Sequence, residues 1–230
     1  MDSIADNVAR VRERIFAVLA RTGRAGGEVT VVAVTKTFPA ETVRQVIRAG
    51  IPDVGENRVQ ELVAKAAEVE LPCRWHLVGP LQRNKAAKAL DVAHLIQAID
   101  GVRIAQAVDR LAGERGMRAR VLLEVNTSGE SAKHGVVPAD APAVADEVAA
   151  CRNLEWLGLM TIGPVTIEPV ATRACFRSLV ALAEVLRGRT GLELPHLSMG
   201  MSDDFEIALE EGATILRLGR VITGARPGAL

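Results

Sequence analysis

VTVVAVTKTFPAETVRQVIRAG, residues 29–50, contains one complete strand-then-helix unit. Val29, Val31, Val32, Ala33 and Val34 make a near-continuous apolar run, as expected of a strand buried on both faces in a parallel sheet. Residues 39–49 then switch to helical period. Lys36 falls between the two, at the carboxyl end of the strand. Lysine is rarely buried without a partner. Lys36 is therefore either a loop residue snorkelling into water or a group placed where α/β folds bind ligands.

The same alternation recurs along the chain. Short apolar runs predict strands at 29–35, 52–55, 74–78, 93–97, 119–125, 154–160, 196–199 and 214–218. Helices are expected at 39–49, 57–68, 83–90, 101–115, 138–150, 168–188 and 203–211, with a short one at 221–226. Ahead of them, Ile4, Val8, Val11, Ile15, Val18 and Leu19 line one face of an extra N-terminal helix that Gly23 stops. Eight βα repeats without a Pro/Gly/Ser-rich linker predict one domain over 1–230, an α/β fold closed as a (β/α)8 TIM barrel. An open doubly wound sheet is the alternative, since strands two and seven are short.

Composition narrows the function. Of 230 residues 49% are hydrophobic, and 28 basic side chains cancel 28 acidic ones, so no global field attracts nucleic acid or an anionic membrane. Cys73, Cys151 and Cys175 are odd in number and lack C-x-x-C spacing, which suits reduced thiols and a cytoplasmic setting. The N-terminus carries Asp6, Arg10, Arg12, Glu13 and Arg14 and does not read as a signal peptide, and no apolar stretch is long enough to span a membrane. The four histidines adopt no metal-ligand spacing, and no G-x-S-x-G elbow occurs.

In a barrel the chemistry gathers at the carboxyl ends of the strands. Those ends carry Thr35-Lys36, Gly55-Glu56-Asn57-Arg58, His76, Asn126-Thr127-Ser128-Gly129, Thr161, Ser198-Met199-Gly200-Met201-Ser202 and Arg217-Leu218-Gly219-Arg220. The loops after strands seven and eight of such barrels often hold a phosphate, and the hydroxyls of HLSMGMSDD with Gly219 suit one; the competing reading is that these glycines only turn the chain. Gly219 to Gly224 mimics the outer spacing of a P-loop, but Ala225-Arg226 replaces its Lys-Ser/Thr. Beside a phosphate site, Lys36 fits a Schiff-base lysine or a point charge for a phosphorylated substrate. His76 reads as an acid/base, a ring-stacking group or hydrogen-bonded core. Asn57 reads as a cofactor contact or part of a helix cap, and Lys133 as a second phosphate contact or a solvated loop residue.

With these residues in view, the sequence resembles the pyridoxal phosphate homeostasis proteins, single-domain relatives of the barrel half of alanine racemase. The resemblance covers nearly the whole chain. It rests on VAVTK at 32–36, GENRVQE at 55–61, WHLVGPLQRNK at 75–85, LSMGMSDDFEIAL at 197–209 and RLGRVITGAR at 217–226. It implies a fold-type III barrel in which Lys36 carries pyridoxal 5′-phosphate (PLP) as a Schiff base. It further implies that Ser202, Gly219 and Arg220, with Ser198 nearby, hold the phosphate, that Arg217 faces the pyridine nitrogen, and that Asn57, His76 and Met201 line the ring. One departure stands out: Arg220-Val221-Ile222-Thr223-Gly224 replaces the family's usual Thr-Ala-Ile-Phe-Gly.

Racemases of this class add a β-rich domain and a tyrosine base from it, whereas this chain contains no tyrosine and ends eleven residues after Gly219. The resemblance therefore implies a monomeric PLP carrier in vitamin B6 and amino-acid homeostasis, without substantial turnover, that serves PLP-dependent apoenzymes. The alternatives are a low-activity racemase using Lys36, and a sugar-phosphate aldolase.

Overall fold

The structure, a computed structural model, describes residues 3–166 and 168–225. Among them eight strands run in the order β1 to β8 and close on themselves, all neighbours parallel. The strands are β1 (Thr30–Val34), β2 (Asp53–Glu56), β3 (Arg74–Leu77), β4 (Leu95–Ile99), β5 (Ala119–Glu124), β6 (Leu154–Met160), β7 (His196–Ser198) and β8 (Ile215–Leu218). Closure is made by β1 against β8, from Thr30 opposite Ile215 to Ala33 opposite Leu218. That ladder rules out the open sheet, which would leave two strands as unpaired edges.

The helices between strands are α2 (Ala40–Arg48), α3 (Val59–Glu68), α4 (Ala86–Leu90), α5 (Val102–Glu114), α6 (Ala141–Ala149), α7 (Pro169–Thr190) and α8 (Phe205–Glu210). The expected helix at 83–90 is split, its first turn being a 3₁₀ turn at Arg83–Lys85. The last helix, α9 (Arg220–Thr223), begins one residue early, and Arg226 of the expected 221–226 lies outside the described residues. Strand β4 starts two residues later than expected because Ala93 still donates to Ala89 at the end of α4. It also runs on past Gln97, whose amide is satisfied inside the barrel.

The N-terminal helix α1 (Ile4–Arg21) starts at a capping box of Ser3 and Asp6 and buries Val8, Val11, Ile15, Val18 and Leu19, the face read from the sequence. It packs on α8 and α9: Asn7 donates to the Ile222 carbonyl at 2.9 Å, and Arg24 to the carbonyls of Leu209 and Ala213. The extra helix thereby braces the two elements that follow β7 and β8.

The core has two parts. A large layer lies between strands and helices, while Val32, Val78, Leu95, Ala98, Leu122, Met160 and Ile215 fill the barrel interior. Closure between β6 and β7 depends on Gly158, where a Cβ would stand 1.9 Å from the His196 carbonyl oxygen. No described helix is long and apolar enough to cross a membrane.

Candidate functional site

The carboxyl ends of the strands surround a cavity of about 650 Å³. Lys36, Asn57, Met201, Ser202, Arg217, Gly219 and Arg220 all line it, so the rim gathers residues 184 positions apart in sequence, from 36 to 220. Val34, Phe38, Val78 and Ile162 give it apolar walls. Asn57 is not the cap of α3; that position is taken by Arg58, which makes no side-chain cap, and Asn57 faces the cavity instead.

His76 and Ser198 do not line the cavity. They stand in a buried column of polar side chains that crosses the barrel and ends at Arg217. Arg217 Nη1 donates to Ser198 Oγ at 2.7 Å, and Nη2 donates to the Thr161 carbonyl at 2.7 Å. Ser198 donates to Gln97 Oε1 at 2.6 Å, Gln97 Nε2 meets His76 Nδ1 at 3.0 Å, and His76 Nε2 meets Asp53 Oδ1 at 3.0 Å. At the far end Arg74 forks onto both oxygens of Asp53, at 2.7 and 2.5 Å. Arginine can only donate, and Gln97 turns its oxygen to Ser198 and its NH2 to His76, so the direction of every bond follows. Ser198 accepts from Arg217 and passes its own proton to Gln97; the amide NH2 then faces Nδ1, and His76 carries its proton on Nε2 toward Asp53. Burial alone would raise the Asp53 carboxyl, but the bonds from Arg74 and His76 outweigh it and hold it at about 2.

The column fixes a cation at the floor of the cavity. Burial lowers the Arg217 guanidinium to about 10, with Glu124 and Asp204 pulling it back up, so it stays charged at neutral pH. Glu124, at the end of β5, is a further charged residue of the lining, and no sequence motif marks it. It is 3% exposed, and its Oε2 has no hydrogen-bond partner among the described residues. Burial drives its carboxyl up to about 7, Arg217 lowering it and Asp100 raising it further. A sequence signal did exist: Glu124 interrupts the apolar run VLLEV as Lys36 ends VVAV.

The loops after β7 and β8 form the opposite wall. Ser202 Oγ accepts from Val221 N at 3.3 Å, and Arg220 is ion-paired with Asp203 at an exposed rim position. Gly219 has a φ of −106°, outside the left-handed region. What the missing side chain gives is room: a Cβ there would meet only Val34, with its oxygen at 3.4 Å, and the wall between Ser202 and Lys36 stays open. Lys133 lies outside this lining, donating to the Gly163 carbonyl at 2.6 Å and paired with Glu130 at 2.5 Å.

The alanine racemase N-terminal domain family matches residues 1–227. The pyridoxal phosphate homeostasis protein of Pseudomonas aeruginosa is 41% identical over 227 residues, covering 98% of this chain and 97% of the relative. The chain belongs to the pyridoxal phosphate homeostasis proteins. A second member of that family, from Aquifex aeolicus, is 38% identical over 222 residues, covering 96% of this chain and 97% of the relative. Among solved structures, PipY of Synechococcus elongatus with PLP bound superposes with a TM-score of 0.85 at 34% identity, covering 96% of this chain and all of PipY. The alanine racemase of Clostridium difficile in complex with cycloserine shares the barrel, with a TM-score of 0.78 at 12% identity, over 97% of this chain and 61% of the racemase. At that identity the likeness is one of fold. This chain, PipY and the racemase thus share a barrel, and the two homeostasis proteins above are matched almost end to end.

Proposed function

We propose that this chain binds PLP in the rim cavity, covalently through the Lys36 amine, and holds it without substantial turnover as part of cellular PLP homeostasis. The observation that carries the reading is that Lys36, Arg217 and the Ser202–Gly219 wall line one cavity. At about 650 Å³ the cavity falls within the roughly 300–1,000 Å³ of small-molecule sites. Its apolar walls suit an aromatic ring. Bound PLP supplies an aldehyde for a neutral amine and a ring able to withdraw electrons.

In this reading Lys36 is the covalent anchor, and Ser202, Gly219 and Arg220 hold the phosphate. Arg220 does so by exchanging its ion pair with Asp203 for the stronger anion. Asn57 and Met201 flank the ring. Arg217 faces the pyridine nitrogen, and His76 and Ser198 act one step removed, by fixing the guanidinium. A permanent cation there disfavours protonation of the ring nitrogen and weakens the ring as an electron sink. The lack of any tyrosine leaves no phenol to serve as a racemase-type base. Both features favour holding over turnover. The chain then acts as a monomer of one domain in the cytoplasm, with PLP-dependent apoenzymes as recipients.

A second reading, a low-activity racemase, is favoured by Glu124: a carboxyl held at about 7 gives the cavity another proton-holding group besides Lys36. Incubating the PLP-loaded protein with several amino acids in deuterated water separates the two. A carrier incorporates deuterium no faster than free PLP. Incorporation well above that rate, lost in Glu124→Gln, would establish the racemase.

A further inference from the structure

Lys36 sits in a tight turn that α3 grips on both sides. Phe38 N donates to the Thr35 carbonyl at 3.1 Å, so Thr35 to Phe38 form a hydrogen-bonded turn with Lys36 at its second position. Thr37, at the third, has φ +70°. This is the left-handed value that type II turns demand and that glycine normally supplies; for a β-branched residue it is a strained outlier.

Two side chains one helical turn apart on α3 hold that turn. Glu61 Oε1 accepts from the backbone N–H of Thr37 at 2.7 Å. Lys65 Nζ donates to the Thr35 carbonyl at 2.8 Å, to Glu56 Oε1 at 2.7 Å and to Glu61 Oε1 at 3.1 Å. Thr35 Oγ1 donates to the same Glu56 oxygen at 2.6 Å, and Glu56 is fully buried. The residues on either side of Lys36 are thus tied to one ionic cluster, half of it below the rim and half at its edge.

Burying Lys65 against a fully buried carboxylate is a costly way to attach a helix to a sheet, since apolar packing would do as well. Helix attachment also gives no reason for a strained threonine. We propose that Glu61 and Lys65 are positioning residues for Lys36, with Glu61 keeping Thr37 in its left-handed form so that the turn presents the Lys36 amine to the cavity. The proposal rests on Lys36 as the cofactor lysine but not on how tightly PLP binds.

A double-mutant cycle tests it, because glycine adopts φ near +70° unaided. Wild type, Glu61→Ala, Thr37→Gly and the double variant are each treated with pyridoxal and borohydride, and labelling of Lys36 is read by peptide mass mapping. PLP affinity is read alongside from visible absorbance, and melting reports whether each variant folds. Glu61 is partly exposed, so its truncation leaves no buried charge unpaired at its own position. Glu61→Ala in the threonine background is expected to lower Lys36 labelling and PLP affinity about tenfold, the size of one lost charge-assisted hydrogen bond. In the glycine background the same substitution should cost about twofold or less. Equal losses in both backgrounds, or none in either, overturn the proposal, because a merely structural tie does not depend on what occupies position 37. Should wild type take up no PLP, the reading of function fails separately, while the pyridoxal labelling ratios still decide the role of Glu61.

Discussion

Two charged residues interrupt apolar strands, Lys36 after β1 and Glu124 at the end of β5, and the barrel brings both to one cavity. Lys36 was legible in sequence because it closes a valine run at a strand's carboxyl end and stands in the motif VAVTK. Glu124 broke the same rule but had no motif to draw attention to it, and its partners, Arg217 and Asp100, come from β8 and the end of β4. Its titration gives a sharp expectation. Below its ordinary pKa of 4.5 both folded and unfolded chains hold the proton; between 4.5 and about 7 the folded chain alone does. Stability therefore falls as pH rises through that window and stays lowered above it. Glu124→Gln removes this group's share of the dependence, while Glu56 and Asp204, which burial also raises, keep theirs. Urea denaturation is expected to show the variant matching wild type near pH 4.5 and exceeding it by about 3 kcal/mol above pH 7. Identical pH profiles in wild type and variant would contradict a buried carboxyl whose Oε2 has no hydrogen-bond partner among the described residues.

At the scale of elements, strand positions followed from apolar runs to within two residues, and even the short β2 and β7 were recoverable. What periodicity could not convey is the reason polar residues sit inside strands. Asp53, His76, Gln97 and Ser198 belong to four different strands and satisfy one another only once the barrel closes. Read singly, each weakens a strand assignment; together they form the support of Arg217. The N-terminal helix has a similar hidden role. Its apolar face was evident, but not that Asn7 reaches the Ile222 carbonyl and steadies α9 beneath the proposed phosphate site. Asn7→Ala is expected to lower stability by about 1 kcal/mol, the worth of one hydrogen bond. It should weaken PLP binding more than binding of pyridoxal, which has no phosphate. Equal weakening of both ligands would show that α9 does not serve the phosphate.

For the molecule as a whole, closure of the barrel converts a scatter of rim residues into a site. The β1–β8 ladder places the Lys36 strand beside the strand that carries Arg217 and leads to Gly219, and the carboxyl ends of β2, β3, β5, β6 and β7 supply the rest of the lining. The same architecture underlies alanine racemase, and this chain lines its rim cavity with Lys36 and the buried Arg217 while containing no tyrosine. Holding a reactive aldehyde is the function that combination favours. The most direct measurement adds PLP to the purified protein, records the visible spectrum, reduces with borohydride and maps the modified peptide. The account predicts a visible band that borohydride abolishes, a reduced adduct on Lys36, and neither in Lys36→Ala. A wild-type protein without the band, or with label spread evenly over its lysines and unchanged in Lys36→Ala, would contradict it.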